Sequence, residues 1–335
     1  MYLFFTFTLI CSSEPETTRF TSLSSHTIRP KKNLFTNMNT IPHYVKIMNI
    51  LYKNLIEPHE GGAFLINDPS LNLQLSHVTF YNCMASQCGA GYFQGKDAFL
   101  TQICGSNCRA GSCQFLYITN SDAIYTTQLN ESSVFRCCPN ETRVCNFGGI
   151  YGSYGSQLLS NVNMTQNGMH GGPTCFFFQS NHILVQFSTI ISCYGEMHGF
   201  VYPSDEVNNN KTAEYNHINL CNNTYYKYQS NSMLHAQLID LLIQDSMFKA
   251  NNWRYFFRYK CIISLRGCVF DRNEEGITCS GLDTGDAQFG VENFATYDFH
   301  HYSIELCEVV DIPEPPSTSF FENLVQTMQN IFKSI

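Results

Sequence analysis

One short step recurs along the chain and constrains its fold more than any other feature: an apolar residue followed, three positions later, by Asn or Cys. In LSHVTFYNC, Leu75–Cys83, the step runs from Phe80 to Cys83. It ends at Cys83, Cys108, Cys138, Asn167, Cys193, Cys221, Asn251 and Asn273, and its apolar residues are Phe80, Phe135, Met164, Ile190, Ile218, Phe248 and Phe270, the copy ending at Cys108 being degenerate. Successive ends lie from 22 residues (251 to 273) to 30 residues (108 to 138) apart. These copies indicate a repeat array.

A second element, a glycine turn leading into a short apolar run, precedes or follows most copies. It reads GGAF at Gly61–Phe64, GAGYF at Gly89–Phe93 and GGIYG at Gly148–Gly152. Such runs are typical of buried strands bounded by turns. One rung of two short strands cannot bury its apolar face alone, but rungs stacked about 4.8 Å apart pair each strand with copies of itself. We therefore predict an all-β, right-handed parallel β-helix (solenoid) of about eight rungs, with short helical or irregular caps.

The period also fits a leucine-rich-repeat interaction protein, whose L-x-x-L-x-L-x-x-N/C pattern is close to the step described above. Those repeats need a helical or extended convex segment after the Asn. Glycine-rich strand starts occupy that place here, and the period wanders by eight residues, from 22 to 30. The β-helix is therefore favoured, with the step's apolar residues in one inward column and its Asn or Cys residues in a column at a turn, where Asn tolerates left-handed backbone.

The pairing of GGAF at Gly61–Phe64 with FYNC at Phe80–Cys83 resembles the polymorphic outer-membrane-protein repeats of chlamydial autotransporters. It is even more similar to the β-helix surface proteins of trichomonad-type protists, in which Cys often replaces the Asn. The resemblance extends to about Gly281, although later copies lose the second Gly or the Ala. It implies a β-helix that is secreted or displayed on the cell surface, with an adhesin-like role.

The two ends of the chain differ in composition from the array. Residues 1–13 contain a ten-residue apolar run, Tyr2–Cys11, that fits a signal peptide without its basic region, or a first strand. Residues 14–60 form a capping segment, in which the apolar residues of 41–55 fit an amphipathic helix or a degenerate first rung. The β-helix proper is predicted over 61–311. A proline-rich linker, 312–319, leads to an amphipathic helix over 320–335 that docks on the last rung or binds a partner or membrane surface.

The chain has 16 cysteines, too scattered for one zinc site. Cys104, Cys108 and Cys113 are spaced like metal ligands, but no matched pair follows them. Disulfides or buried cysteines in an oxidising compartment are favoured instead. Stacked pairs such as Cys83 with Cys108 and Cys193 with Cys221 lie within the Cα range of a disulfide, although stacking holds their Cβ atoms parallel. We expect a partly reduced ladder with some bridges.

The surface chemistry favours an extracellular location. Five N-glycosylation triplets begin at Asn130, Asn140, Asn163, Asn210 and Asn222. The net charge of −8 and the scattered 19 Lys and Arg argue against nucleic-acid binding. Beyond the first residues, no segment is apolar enough for a transmembrane helix.

A β-helix can also support the chemistry of a polysaccharide lyase or hydrolase, which needs converging carboxylates. The candidates are Asp283 and Asp286 with Glu274 and Glu275, but their loop-like sequence favours a solvated turn. His170, His198, His300 and His301 suggest no catalytic arrangement, and no cofactor or catalytic residue is predicted. We expect a non-catalytic module that binds glycans or host or cell-surface proteins, with a diverged carbohydrate-active enzyme as the alternative. The aromatic residues proposed to stack on sugars are Trp253, Tyr225, Tyr226 and Tyr228.

Overall fold

A computed structural model describes the chain over residues 18–19, 43–137, 148–169, 175–195, 211–225, 232–235, 240–252, 255–258, 262–273 and 281–299. Its strands are β1 Thr18–Arg19, β2 His43–Lys53, β3 Ile56–Glu57, β4 Phe64–Asn67, β5 Leu71–Tyr81, β6 Met84–Ala85, β7 Gly91–Gly95, β8 Ala98–Ser106, β9 Cys113–Asn120, β10 Thr126–Phe135, β11 Gly148–Ser153, β12 Ser156–Thr165, β13 Gly168–Met169, β14 Cys175–Phe178, β15 His182–Ile191, β16 Tyr194–Gly195, β17 Thr212–Cys221, β18 Thr224–Tyr225, β19 Ser232–His235, β20 Asp240–Gln244, β21 Met247–Lys249, β22 Tyr255–Arg258, β23 Ile262–Arg266, β24 Val269–Phe270 and β25 Leu282–Asp283.

These strands form two main sheets in which every pairing is parallel. The long sheet has the order β1-β2-β5-β8-β10-β12-β15-β17-β20-β23-β25, with β21 beside β17 and β24. The short sheet has the order β14-β11-β9-β7-β4. Smaller sheets join β13, β16 and β18, then β19 and β22, then β3 and β6. Because each strand pairs with its counterpart one repeat away, the chain coils as a parallel β-solenoid, as the repeat predicted.

The number of coils is roughly as predicted, and no helix occurs in the described residues. Each coil contributes to sheets on more than one side, which does not fit the leucine-rich-repeat alternative. The right-handed coiling stays a prediction, which rests on the strong right-handed preference of parallel crossover connections.

The inward column was predicted correctly in most coils and wrongly in two. The strand register stacks Tyr52, Phe80, Gly105, Val134, Met164, Ile190, Leu220, Phe248 and Phe270. Phe135 lies one position later and is half-buried on the outside of the long sheet. Ile218 is buried, but it aligns with Ser188 in a different column. The column residues of those two coils are therefore Val134 and Leu220.

This error has a simple cause. Two registers of the same step exist in each of these coils: Val134 precedes Cys137 as Phe135 precedes Cys138, and Leu220 precedes Asn223 as Ile218 precedes Cys221. Spacing alone cannot choose between them, whereas pairing with the neighbouring strands can. In both coils the residue chosen from spacing, Phe135 or Ile218, is the wrong one.

Aromatic stacking fills the lumen at both ends of the column. The Tyr52 and Phe80 rings lie 5.3 Å apart and nearly parallel, and those of Phe248 and Phe270 lie 4.4 Å apart. Gly105 explains the degenerate copy, because a Cβ there would come within 2.3 Å of the Phe115 ring. Phe115, from the short sheet, packs edge-on against Phe80 and takes the space that a side chain at position 105 would need.

The helix suggested for 41–55 is wrong, and the competing interpretation as a first rung is right. β2 pairs with β5 in register over its whole length, so the solenoid begins before Gly61. The inward residues of this segment are Ile47, Ile50, Tyr52 and Leu55. Asn49 and Asn54 have left-handed φ values of 54° and 57°. Each one shifts the strand alternation by one residue, so the buried spacing of three, two and three resembles a helical period.

The same two left-handed positions recur in coil after coil. One column comprises Asn49, His77, Gln102, Glu131, Asn161, Phe187, His217 and Asp245, and the other comprises Asn54, Asn82, Asn107, Arg136, Gln166, Ser192, Asn222 and Ala250. The second column directly precedes the turn predicted for Asn or Cys.

The leader 1–13, the linker 312–319 and the helix 320–335 lie outside the described residues.

Candidate functional site

The turn that closes each step carries a buried column, which we call the turn ladder. Its members are Leu55, Cys83, Cys108, Cys137, Asn167, Cys193, Asn223 and Asn251, all buried. Asn273, at the end of the array, is exposed. Of the predicted ladder residues, Cys221 is instead on the outside of the long sheet, and Cys138 lies outside the described residues.

Each Asn of the turn ladder bonds to the coil before it in the same two ways. Asn223 Nδ2 donates to the Ile190 carbonyl at 2.9 Å, while its Oδ1 accepts the Cys193 amide at 2.9 Å. Asn167 makes the equivalent pair with the Val134 carbonyl and the Cys137 amide, each at 2.9 Å. The side chain thus satisfies two buried backbone groups at a bend where the strand ladder cannot.

Cysteine occupies the ladder because its thiol reaches the same acceptor. The Cys83 thiol faces the Tyr52 carbonyl at 3.6 Å, and the Cys193 thiol faces the Met164 carbonyl at 3.5 Å. These are the carbonyls of the column residue one coil earlier, as for Asn. Interchange of Asn and Cys along the repeat therefore follows from a shared hydrogen-bond geometry, in which the thiol is the weaker donor.

The disulfides expected between Cys83 and Cys108 and between Cys193 and Cys221 are not formed. Cys83, Cys108, Cys193 and Cys221 are free and buried. Burial raises the pKa of the Cys193 thiol to about 11, because the thiolate would lose its hydration. Cys104 is disulfide-bonded, and its partner lies outside the described residues. The turn ladder is consequently a reduced structural column that presents no binding surface.

The outward face of the short sheet carries a second column, the tyrosine ladder, formed by Tyr92, Tyr117 and Tyr151 in register on β7, β9 and β11. The Tyr92 and Tyr117 rings lie 4.8 Å apart with a 6° interplanar angle. The Tyr117 and Tyr151 rings lie 4.2 Å apart with an 8° angle. Leu65 of β4 continues the column beyond Tyr92. Face-to-face stacking joins the three rings into one column on this face.

A polar column runs beside the tyrosine ladder, two residues further along each strand. It consists of Asn67, Gln94, Thr119 and Ser153. The Tyr92 hydroxyl donates to Gln94 Oε1 at 3.2 Å, and the Ser153 hydroxyl donates to Thr119 Oγ1 at 3.1 Å. Both columns are uncharged, and burial raises the pKa of Tyr92 and Tyr117, so their hydroxyls stay protonated.

The first coils of this face are more open than β11. Tyr92, Gln94, Tyr117 and Thr119 are half-buried, and Asn67 is exposed, whereas Tyr151 and Ser153 are 5% and 2% exposed. The open part is thus a strip three strands wide, β4, β7 and β9, with neutral donors and acceptors at one strand spacing. This strip was not predicted from the sequence, although a Tyr one or two residues after a glycine in GAGYF and GGIYG was a signal for two members of the tyrosine ladder, of which Tyr92 lies in the strip.

The carboxylates considered for catalysis support the end of the solenoid. Asp283 pairs with Arg266 at 2.6 Å and accepts the Gly285 amide, and Asp286 accepts the Gly267 amide at 2.7 Å. The pKa of Asp283 is lowered, first by its hydrogen bond to Arg266. Both carboxylates are thereby engaged in the last turns. Glu274, Glu275 and the four histidines lie outside the described residues.

Some of the remaining predicted residues lie on the surface, and the others lie outside the described residues. Asn222 is exposed at a turn, while Asn130 and Asn163 are half-buried on the long sheet. Asn140, Asn210 and Trp253 are among the residues not described, as are the side chains of Tyr225, Tyr226 and Tyr228. Within the described ranges, no three or more His, Cys, Asp or Glu gather as metal ligands. The same ranges contain no apolar helix that is long enough to cross a bilayer.

Comparison with known proteins adds no further identification: no family model matches the chain, and no curated protein or solved structure matches it.

Proposed function

We propose that the protein is a non-catalytic, adhesin-like β-solenoid that binds glycans through the open strip around Tyr92 and Tyr117. The main support for this proposal is the pairing of a stacked tyrosine column with a neutral polar column on one outward face. Aromatic side chains beside convergent hydroxyl and amide groups are suited to sugars, whose rings offer both apolar edges and hydroxyls. Because the two columns are uncharged, a neutral glycan fits the strip better than an anionic ligand.

The strip is rigid before any ligand arrives. Tyr117 is held between two stacked rings, and Gln94 is held by its bond to Tyr92. A preorganised surface loses little conformational entropy on binding. At the strand spacing of about 4.8 Å, the strip offers an aromatic ring and a polar group on both β7 and β9. A linear glycan lying along the solenoid axis would therefore meet equivalent contacts in succession.

The experiment begins with the purified full chain on a glycan array, followed by calorimetry with the best neutral oligosaccharide. Tyr117→Phe keeps the ring stack and removes a hydroxyl, and Thr119→Val removes its polar neighbour. We expect each to weaken binding about tenfold, the effect of losing about 1.4 kcal/mol. Tyr81→Phe, on the outside of the long sheet, is the matched control and leaves affinity unchanged. Absence of glycan binding, or equal loss in the control, contradicts the proposal.

We also propose that the protein is secreted or displayed at a cell surface, as in the trichomonad-type surface proteins that its GGAF and FYNC motifs resemble. The exposed Asn222 supports this, since an acceptor Asn must be accessible. Expression in a secreting eukaryotic cell with peptide mass mapping tests it. Glycan on Asn222 is expected, and unmodified Asn222 in secreted protein argues against this acceptor.

A further inference from the structure

The last described residues leave the end of the solenoid and run back along its outside. Phe289 stacks on Phe270 at 5.0 Å and extends the inner column by one ring. The Val291 amide then donates to the Phe270 carbonyl. From there the chain crosses earlier coils in reverse order, with Phe294 near Lys249, Tyr297 near Asn219 and Phe299 near Phe187. We call residues 291–299 the strap.

Asn219 holds the strap by its backbone. Its Nδ2 donates to the Tyr297 carbonyl at 2.8 Å, and its Oδ1 accepts the Tyr297 amide at 3.1 Å. The Asn219 side chain points outward from β17 and is only 3% exposed under these contacts. A side-chain amide that bonds both the N–H and the C=O of one residue recognises an extended backbone whatever its side chain.

Lys249, one coil further on, makes a second backbone contact. Its Nζ donates to the Phe294 carbonyl at 2.8 Å and lies 5.3 Å from the centre of the Phe294 ring. The ammonium group thus combines a charge-assisted hydrogen bond with a cation–π contact. Together Lys249 and Asn219 fix two carbonyls three residues apart on the strap.

Aromatic contacts supply the remaining specificity. The Tyr297 ring lies 5.5 Å from the His217 ring, and the Phe299 ring packs edge-on against Phe187 at 6.2 Å. Phe187 and His217 occupy left-handed positions of neighbouring coils. The face therefore selects aromatic residues at a spacing of three and then two, as in Phe294, Tyr297 and Phe299.

The strap forms no strand: residues 291–299 have no ladder pairing with the sheet. Apart from the Val291 amide, it is held by side chains of the solenoid. Segments held by few contacts of this kind are those that open most easily. Such a face accepts an equivalent segment from another molecule when its own segment leaves.

We propose that this outward face, formed by Phe187, His217, Asn219 and Lys249, is a binding site for extended peptide segments with the pattern aromatic-x-x-aromatic-x-aromatic. The strap occupies the site in cis, and a partner protein that exposes such a segment takes its place in trans. Main-chain recognition by Asn219 and Lys249 provides the common affinity, and the two ring contacts provide the selectivity. The site is separate from the tyrosine ladder and does not depend on glycan binding.

The test uses the full chain and a fluorescein-labelled peptide with the sequence of 291–299, VENFATYDF. The chain is prepared unchanged and with the strap weakened by Phe294→Ser, Tyr297→Ser and Phe299→Ser. We expect fluorescence anisotropy to give at least tenfold tighter peptide binding to the strap-weakened chain, because its site is vacant. A peptide in which the three aromatic residues are replaced by Ser is expected not to bind.

A second substitution in the strap-weakened chain locates the site. Asn219→Leu is expected to reduce peptide affinity at least tenfold, and Lys249→Met serves the same purpose if circular dichroism shows that Asn219→Leu does not fold. Asn163→Leu, two strands away in the same outward column, leaves the affinity within twofold. Failure of the peptide to bind the strap-weakened chain, or binding that is indifferent to both Asn219→Leu and Lys249→Met, overturns the proposal.

Discussion

The turn ladder and the tyrosine ladder are both columns of chemically similar residues stacked at one strand spacing, but they differ in what they contact. Asn223 in the turn ladder is fully buried and bonds to backbone groups of the previous coil. Tyr117 in the tyrosine ladder is half-buried and contacts the rings above and below it. Stacking by itself therefore does not tell structure from function. The difference lies in whether a column satisfies the main chain or offers groups to solvent.

The largest expected effect comes from removing one amide of the turn ladder. Asn167→Ala leaves the Cys137 amide and the Val134 carbonyl buried without their side-chain partner. Each orphaned group costs about 1–3 kcal/mol, so unfolding should require about 2–6 kcal/mol less free energy. Urea denaturation followed by circular dichroism measures this change. Gln166→Ala, at the exposed neighbouring position, is the control and should change it by less than about 0.5 kcal/mol.

Disrupting the tyrosine ladder should lower the free energy of unfolding less than Asn167→Ala does, but should weaken glycan binding more. Tyr117→Ala removes two stacked contacts, each worth about 0.5–1.5 kcal/mol beyond area burial. Unfolding free energy should fall by about 1–3 kcal/mol while the far-ultraviolet spectrum is retained, and glycan binding should be lost. Retained glycan affinity in the folded variant would show that the open strip is not the binding surface.

Alkaline pH should weaken the turn ladder through its buried thiols. The folded pKa of Cys193 is about 11, above the ordinary value of 9.0, so an unfolded thiol ionises first. The stabilisation is fully present below pH 9.0 and is lost as pH rises towards 11. Denaturation midpoints at pH 8 and pH 10.5 measure the loss. A Cys193→Asn variant should lose less stability between pH 8 and pH 10.5. An identical loss would show that the Cys193 thiol does not contribute.

The smallest effect is expected from exchange within the turn ladder. Cys193→Asn replaces a thiol facing the Met164 carbonyl with an amide that reaches the same acceptor. The stronger donor offsets the slightly larger side chain, so the unfolding free energy should change by less than about 1 kcal/mol. Cys193→Val, similar in size but without a donor, is the matched comparison. If Asn at this position lowers the unfolding free energy more than Val does, Asn and Cys do not share one hydrogen-bond geometry.

The coil architecture could be predicted from the sequence because each coil repeats the same demand for a buried column and a satisfied turn. Spacing identified Phe80, Met164 and Phe248 correctly, since no rival step lies beside them. It failed at Phe135 and Ile218, where two registers coexist, and at 41–55, where left-handed residues turn a strand alternation into an apparent helical period. Propensity and spacing describe one coil, whereas register is a property of neighbouring coils.

The candidate surfaces were harder to foresee. The strap on Asn219 joins residues 78 positions apart, and nothing in the sequence marks Asn219 as a ligand for Tyr297. The tyrosine ladder depends on which residues of β7, β9 and β11 face outward, and this follows only once the register is known. Outward side chains do not satisfy the same backbone groups in every coil. The repeat therefore does not constrain which residues occupy these positions.

The register of the turn ladder can be tested by urea denaturation of three adjacent alanine variants, Cys221→Ala, Asn222→Ala and Asn223→Ala. The structure places Asn223 in the turn ladder, Asn222 on the surface and Cys221 on the outside of the long sheet. It predicts a loss of about 2–6 kcal/mol for Asn223→Ala, and markedly smaller losses for the other two. A largest loss at Cys221, with Asn223 nearly neutral, would restore the register inferred from spacing and contradict the ladder described above.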